Sequence, residues 1–284
     1  MESIATALKR EGLPFLPRGR YHLVVILQPH RRLPGDLQQH LLKSFATVTD
    51  ELYQVDTSCY WSSLPDFFDG VHGVWLAFLG EELVGFSVAR NFHEGGERVL
   101  YIDEMDLRPA ARPVMGQITL GALLTLEMGR AAAPWWRPMS FVFHTQNPNV
   151  YRLAFSMQPD SVAPRLRGGQ PRDPGRSQRV LTAMAARILP GREYDLQTSV
   201  IKRAYPCRLY GRPLSKAGSE ASGLARYWAE HVDVDAGDAV LIAQCLTAAE
   251  YRAHLWKYFL LRCADRWRRL RGRAPTPAAA ADGV

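Results

Sequence analysis

The stretch Tyr101-Ile-Asp-Glu-Met-Asp-Leu-Arg-Pro-Ala-Ala-Arg-Pro-Val-Met-Gly116 decides how the rest of the chain is interpreted. It begins as a β-strand, meets two closely spaced prolines and ends on a glycine, a pattern that indicates a strand–loop–helix connection. Three carboxylates, on Asp103, Glu104 and Asp106, interrupt the strand. Because acidic side chains are seldom buried without a partner, we expect some of them to face solvent or a cleft.

The segments on either side of this stretch predict alternating strands and helices. Runs rich in β-branched and aromatic residues predict strands at 21–28, 74–79, 83–89, 99–107 and 140–144. Length and composition predict helices at 37–48, capped by Asp36, at 115–128, and at 148–157, capped by Asn147. The aromatic-rich residues 55–68 are expected to form short helices. The predicted order is β-α-α-β-β-β-α-β-α.

Two motifs in this order resemble those of the GNAT acetyltransferase superfamily. The family places a hydrophobic residue two before a proline, then an arginine, then a glycine-rich turn that opens a helix. Those positions are Leu107, Pro109, Arg112 and Gly116 here. Family members also end the fifth strand near an asparagine, which Asn147 matches. The chain departs from the pattern in this loop in two respects. Three residues separate the arginine from the glycine where the family usually has two, and Ile118 stands where the family has a second small residue.

The resemblance implies a mixed α/β protein with the GNAT acyl-CoA acyltransferase fold, in which the central sheet is mixed and mostly antiparallel. This core covers 20–158 and follows an N-terminal segment, 1–19. Composition predicts a flexible Pro/Gly/Arg-rich loop at 159–177, a C-terminal α/β extension at 178–272 and a disordered tail at 273–284. The elements expected in the extension are helices at 180–189, 220–231 and 250–270 and strands at 198–205 and 238–244.

The resemblance also implies a reaction, the direct transfer of an acyl group from acyl-CoA to an amine-bearing small molecule or peptide in a ternary complex. Acetyl is the expected acyl group. Glu104 would be the base that deprotonates the acceptor; the alternative is a salt-bridged structural carboxylate. Tyr151 would protonate the departing thiolate; the alternative is a packing residue with its hydroxyl at the surface.

Acetyl-CoA or another acyl-CoA is the implied co-substrate. Unpaired N–H groups at a helix N-terminus attract a pyrophosphate, and the backbone N–H of Met105 or Leu107 is the implied donor to the thioester oxygen. The implied cofactor-binding residues are Met105, Leu107, Arg112, Gly116, Gln117 and Asn147. Two alternatives stay open: an acyl donor bound to a carrier protein, and a degenerate GNAT-like binding domain without catalysis, which the longer arginine–glycine spacing motivates.

Strand geometry adds an expectation about the acids. A regular strand sends alternate side chains to opposite faces. One face would carry Ile102, Glu104 and Asp106, and the other would carry Asp103, Met105 and Leu107. Burial of Glu104 among apolar neighbours would raise its pKa toward the range that a general base needs.

The charge of the chain favours anionic partners. Its 35 basic and 28 acidic residues give a net charge of +7, which suits a phosphorylated cofactor or an acidic carrier protein, whereas nucleic acid is not expected. In the last helix an apolar stripe is expected to pack on the domain, with an arginine face opposite it in solvent. The stripe is Trp256, Leu260, Cys263, Trp267 and Leu270, and the arginines are Arg262, Arg266 and Arg269. That basic face is also suited to docking a carrier protein, nucleic acid or a membrane surface.

The cysteines and histidines give no metal-ligand spacing, so no metal is expected. Cys59, Cys207, Cys245 and Cys263 lie far apart, which favours reduced thiols in a cytoplasmic protein. No apolar run approaches the ~20 residues that a transmembrane helix needs.

Overall fold

The apolar runs pair into a 10-stranded sheet with helices on both faces. This computed structural model describes residues 2–64, 66–94, 96–111, 113–115, 118–134, 136–166, 169–206, 209 and 223–270. The strands are β1 (Leu16–Arg18), β2 (Tyr21–Leu27), β3 (Gly73–Leu79), β4 (Glu82–Glu94), β5 (Glu97–Leu107), β6 (Pro113–Met115), β7 (Ile118–Thr119), β8 (Met139–Thr145), β9 (Val162–Ala163), β10 (Tyr194–Asp195), β11 (Val200–Ile201) and β12 (Ala239–Leu246).

The helices follow the order that the sequence predicts, with additional ones at Ile4–Arg10 and Pro29–Arg32. They are α1 (Ile4–Arg10), α2 (Pro29–Arg32), α3 (Gly35–Tyr53), α4 (Ser58–Ser62), α5 (Leu120–Ala132), α6 (Pro148–Met157), α7 (Pro174–Ile188), α8 (Gly223–His231) and α9 (Ala248–Leu270). Within the described residues, none of these helices has the length and apolar character to cross a membrane.

The strand order of the sheet is β1-β2-β3-β4-β5-β8-β12-β11-β10, and β9 also pairs with β12. Every one of these pairs is antiparallel except β5 with β8, which is parallel. The predicted fold class, a mixed α/β protein with a mostly antiparallel sheet, is therefore confirmed. Because β12 pairs with the whole of β8, from Met139 to Thr145, the C-terminal segment extends the same sheet.

Helices α1, α3 and α4 cover one face of the sheet at the β2–β4 end. Helix α3 repeats apolar residues every three or four positions, which aligns them on one side of the helix. Leu37, Leu41, Phe45 and Val48 are all buried on that side. The ring of Phe45 stacks on that of Phe86 in β4 with 4.0 Å between centroids. This face therefore has its own apolar core.

Helix α7 covers the same face at the other end, whereas α5, α6, α8 and α9 cover the opposite face. The second core contains apolar residues of α5 together with Tyr151 of α6, Trp228 of α8 and Tyr251 of α9. In β12 the alternate residues Val240 and Ile242 belong to this core, while Leu241 and Ala243 pack against α7. Two apolar layers thus enclose the central strands.

Several helix boundaries differ from the predicted ones for identifiable reasons. Helix α3 begins at Gly35, so Asp36 lies in the first turn, where its charge favours the helix dipole, and is not the cap. Helix α5 begins at Leu120 instead of residue 115, because β6 and β7 pair with each other and Thr119 caps the helix by accepting the Ala122 N–H at 3.2 Å. The cap at Asn147 is confirmed, since its side chain accepts the Asn149 N–H at 2.9 Å.

Ordered elements begin inside the segment for which the sequence predicts a flexible loop. Strand β9 occupies Val162–Ala163, and α7 begins at Pro174. Asp173 accepts the Arg176 N–H at 2.8 Å, and a proline suits the first helical position because it needs no partner for an N–H group. The cap and the proline together start this helix earlier than its apolar pattern indicates.

Helix α9 is rotated relative to the prediction. Trp256, Leu260 and Trp267 are 62%, 50% and 57% exposed, so the predicted inward stripe faces away from the domain. Among the side chains of α9 that the structure describes, Tyr251 and Tyr258 are buried. The Tyr258 hydroxyl donates to Glu127 of α5 at 2.6 Å. Because a buried carboxylate is costly without donors, this bond helps to fix which side of α9 faces the core.

The expectation that all four cysteines are reduced is wrong. Cys59 is disulfide-bonded, whereas Cys245 and Cys263 are free thiols. Cys207 lies outside the described residues. The cysteines therefore do not support the predicted reducing compartment.

We predict that Glu127→Gln destabilises the protein far more than a comparable change at the surface. The buried Glu127 carboxylate binds the Arg18 guanidinium at 2.9 Å and accepts from Tyr258. Because the change leaves the buried Arg18 charge without its partner, we expect a loss of about 3 kcal/mol in the free energy of unfolding. Urea unfolding measures it. Glu81→Gln, which breaks the exposed Lys9–Glu81 pair, is the control and should cost about 0.5 kcal/mol or less. Equal losses in the two variants would contradict the prediction.

Candidate active site

The two central strands separate toward their carboxyl ends. Strands β5 and β8 pair only from Val99↔Ser140 to Tyr101↔Val142. Beyond Tyr101, β5 stays paired with β4 up to Leu107, and β8 stays paired with β12 up to Thr145. A V-shaped opening therefore lies between the second half of β5 and the end of β8.

A β-bulge in β5 sets the direction of the acidic side chains. The register with β4 shifts, so that Val88 faces Glu104 while the next residue, Ala89, faces Ile102. Asp103 is thus the extra residue of the bulge, and the alternation of side chains is broken there.

The expected division of side chains between the two faces is therefore wrong at this point. Ile102 packs in the same core as α5, but Glu104 and Asp106 contact α4 and α3 on the opposite face. Asp103 also points to that face, where it pairs with Arg90 at 2.7 Å. The bulge therefore collects all three acids on one side of the sheet.

Backbone N–H groups of β5 point into the opening. The Arg108 N–H donates to the Val84 carbonyl oxygen of β4 at 3.0 Å. Because successive N–H groups of a strand point to opposite edges, those of Met105 and Leu107 point away from β4. They face the side on which β8 has separated. These are the two positions that the resemblance implies for binding the thioester oxygen.

The first turn of α5 lies against this part of β5. A Cβ atom built on Gly121 would come 3.4 Å from Leu107 Cδ1 and 3.6 Å from Met105 Sδ. The glycine therefore allows the N-terminal end of α5 to pack beside the opening, with the helix dipole directed at it. Arg112, Gly116 and Gln117, the predicted pyrophosphate-binding residues, lie outside the described residues.

Glu104, which is partly buried, and the buried Asp106 form an acidic pair with hydroxyl donors. Asp106 accepts from Thr49 Oγ1 at 2.7 Å and from the Tyr53 hydroxyl at 2.9 Å. Glu104 accepts from the Tyr60 hydroxyl. Burial raises the pKa of Glu104 well above its ordinary value, and the neighbouring charge of Asp106 raises it further. Burial also raises the pKa of Asp106, although the hydrogen bonds from Thr49 and Tyr53 oppose that shift.

An aromatic cluster lines the same face beside the acids. The Tyr101 hydroxyl and His144 Nδ1 are 2.7 Å apart, and the His144 ring stacks on Tyr205 with 4.8 Å between centroids. The rings of Tyr205 and Tyr60 are 5.9 Å apart, so the cluster reaches the partner of Glu104. Burial lowers the pKa of His144 to about 4, against the opposing charge of Asp103. His144 is therefore neutral at physiological pH.

Tyr151, the residue expected to protonate the departing thiolate, lies in the apolar core. It is fully buried, with its ring 6.0 Å from that of Phe155 and 6.3 Å from that of Trp228. Its hydroxyl accepts the Leu166 N–H at 2.9 Å. This environment favours a packing role, although the hydroxyl is buried and not at the surface as the packing alternative assumes. Asn147, at the end of β8, uses its side chain to cap α6.

Sequence reasoning missed the hydroxyl donors and Tyr205. Thr49 and Tyr53 are four residues apart on α3, a spacing that puts both on one side of a helix and that the sequence displays. Tyr60 belongs to the aromatic-rich segment that the sequence singles out without a role. Within the described residues, no group of His, Cys, Asp and Glu is arranged to hold a metal ion.

Comparisons with known proteins give similarity at the level of structure. No protein-family model matches the sequence, and no curated protein matches it. Arabidopsis thaliana Naa50 in complex with a bisubstrate analogue is similar at 13% identity and a TM-score of 0.34, covering 78% of this chain and 97% of that chain. A GNAT family acetyltransferase from Elizabethkingia anophelis with acetyl-CoA bound is similar at 14% identity and a TM-score of 0.34, covering 69% and 89%. An aminoglycoside acetyltransferase from an uncultured soil metagenomic sample follows at 11% identity and a TM-score of 0.32, covering 48% and 84%.

We predict that Glu104→Gln changes how stability depends on pH. Since the pKa of Glu104 is raised in the fold, its ionisation costs the folded state more than the unfolded chain. Wild-type stability should fall as pH rises from the ordinary carboxyl pKa of 4.5 through the raised pKa. Glu104→Gln has no such proton to lose, so its Tm should exceed that of the wild type increasingly as pH rises.

Thermal unfolding between about pH 4 and about pH 9 measures this difference. Glu193→Gln removes an exposed carboxyl outside the site and should follow the wild-type curve. Parallel curves for Glu104→Gln and the wild type would show that Glu104 ionises as easily in the fold as in the unfolded chain.

Proposed function

We propose that this chain is a divergent GNAT-type acyltransferase that moves an acyl group from acyl-CoA to an amine. Acetyl is the acyl group that we propose. The observation that carries the proposal is the opening between β5 and β8, next to a bulged strand that presents Glu104 on one face. An opening with unpaired strand edges suits an extended ligand arm, and a carboxyl with a raised pKa suits proton transfer.

The donor would lie along the free edge of β5. Its pantetheine arm carries amide groups, which can pair with the strand edge as an added strand does. The N–H groups of Met105 and Leu107 would then donate to the thioester oxygen, on which negative charge develops during attack. The pyrophosphate would lie at the N-terminal end of α5, held by backbone N–H groups near Gly116 and Gln117 and by the charge of Arg112.

The reaction would proceed by direct attack in a ternary complex. Glu104, as carboxylate, takes a proton from the acceptor ammonium, and the amine nitrogen then bonds to the thioester carbon. Bond formation leaves a positive charge on the nitrogen, which gives up its second proton as the carbon–sulfur bond breaks. Coenzyme A leaves as a thiolate, and uptake of a proton then balances the one that the nitrogen released. We do not assign that last proton to Tyr151, because its buried hydroxyl is engaged by the Leu166 N–H.

The acceptor would approach over the acidic face. The rings of Tyr60 and Tyr205 lie beside Glu104, and the partly exposed Asp103 adds a second carboxyl to the same side. Aromatic faces and carboxylates both attract an ammonium group. A small-molecule or peptide amine is therefore the acceptor class that we propose.

We predict that Arg112→Ala weakens binding of acetyl-CoA. Loss of one guanidinium from a pyrophosphate site removes a charge-assisted contact, so we expect about a tenfold or greater increase in Kd. Isothermal titration with acetyl-CoA measures it, and Arg31→Ala, which removes an exposed charge on α2, should bind as the wild type does. No saturable binding to the wild type would overturn acyl-CoA as donor. In that case, binding of an acylated, phosphopantetheinylated carrier would favour the carrier-bound donor, and its absence would favour the degenerate domain.

We predict that Glu104→Gln lowers turnover while leaving the affinity for acetyl-CoA near that of the wild type. The glutamine keeps the shape of the side chain but cannot accept the ammonium proton, and general-base removal typically costs about 100-fold or more. Release of free thiol with a panel of amines measures turnover, and titration with acetyl-CoA measures affinity. Unchanged turnover would remove Glu104 from the mechanism.

A further inference from the structure

Helix α9 presents a continuous apolar stripe on its outer side. At 100° per residue, Trp256, Phe259, Leu260, Cys263 and Trp267 fall within an arc of about 120°. Trp256, Phe259, Leu260 and Trp267 are 62%, 52%, 50% and 57% exposed, and Cys263 is also exposed. The buried Tyr251 and Tyr258 lie on the opposite side of the helix. The outer stripe is therefore additional to the side with which α9 packs on the domain.

The exposed apolar side chains of the stripe are neighbours on the helix surface and are not isolated from one another. Single apolar side chains at the surface are ordinary, but contiguous ones mark an interaction surface. The rings of Trp256 and Phe259 stack at 5.4 Å between centroids, so these two side chains form one continuous surface. Arg252 and Lys257, both exposed, lie beside the stripe.

The net charge of the chain is concentrated in the part of the sequence that contains this stripe. Residues 252–273 contain eight basic residues and one acidic residue, Asp265, which gives a net +7. The whole chain also has a net charge of +7, so the remaining residues are balanced. The surface that the stripe contacts must therefore tolerate a high density of positive charge and accept large apolar side chains.

We propose that α9 docks on the surface of an anionic lipid bilayer, lying parallel to it. The stripe would enter the boundary between headgroups and acyl chains, where tryptophan is favoured, and the basic residues would contact the lipid phosphates. A second copy of the chain would bring the same positive charge against itself. Nucleic acid would satisfy the charge, but Phe259 and Leu260 would gain little from it. Both rivals are outcomes of the test.

The test is co-sedimentation of the full-length protein with lipid vesicles. We expect binding to phosphatidylcholine vesicles that contain about 30% phosphatidylglycerol, and about tenfold less binding to phosphatidylcholine alone. Raising the salt concentration to about 0.5 M should reduce the binding, since it screens the phosphates. Absence of sedimentation with the anionic vesicles would overturn the proposal.

Two sets of variants separate the apolar and the charged contributions. Trp256→Ala/Phe259→Ala should lower vesicle affinity about tenfold or more because it removes the exposed aromatic pair. Trp136→Ala, which removes a tryptophan that is 57% exposed outside α9, should leave it unchanged. Arg252→Gln/Lys257→Gln, which removes the two exposed charges beside the stripe, should lower affinity about tenfold, whereas Arg31→Gln/Arg32→Gln, an equal loss of charge on α2, should not.

Each contrary outcome identifies a rival. If the Trp256→Ala/Phe259→Ala variant converts a dimer to a monomer in light scattering and leaves vesicle binding intact, the stripe joins two copies of the chain and the proposal is wrong. If the protein binds a random DNA duplex more tightly than the vesicles, with no effect of this variant, the charge serves nucleic acid. Both substituted side chains of the stripe are exposed, so we expect α9 to stay helical in this variant. Circular dichroism checks it.

Discussion

The extra residue at Asp103 is the constraint on which the candidate site depends. Without the bulge, Glu104 would share a face with Ile102, and Asp106 would follow it into the core beside α5. With the bulge, Met105 and Leu107 stay in contact with Gly121 of α5 while the acids face α3 and α4. A bulge also increases the local twist of a strand, which is consistent with the separation of β5 from β8 immediately after Tyr101.

Glu104 and Asp106 lie two residues apart on the same face of β5. Removing two neighbouring carboxyls from water is unfavourable unless hydrogen-bond donors surround them. The end of α3 supplies Thr49 and Tyr53, which donate to Asp106. The next helix, α4, supplies Tyr60, which donates to Glu104. The donors are unequal in effect, because Asp106 receives two hydrogen bonds that oppose the rise of its pKa. Both oxygens of Asp106 are engaged by these donors, which suits a structural carboxyl and leaves Glu104 as the reactive candidate.

The sequence predicts the positions of the core strands along the chain well because each strand is a short apolar run with its own turn signal. It also predicts the cap at Asn147, since the asparagine and Pro148 act locally. It does not predict the bulge, because a bulge is a register shift between β4 and β5 and leaves no mark in either strand alone. The rotation of α9 escapes for a similar reason. Aromatic residues lie on both sides of that helix, and the contact from Tyr258 to Glu127, 131 residues away along the chain, helps to select the inner one.

The net charge of the chain does not describe the charge near the candidate site. A net charge of +7 suggests that the whole protein attracts anions, yet residues outside 252–273 carry as many acidic as basic side chains. An acyl-CoA bound at the opening would therefore depend on local groups, namely the first turn of α5, the N–H groups of β5 and Arg112, and not on the overall field. Since a helix terminus and oriented amides act over short distances, their effect should persist at salt concentrations that abolish the attraction exerted by α9.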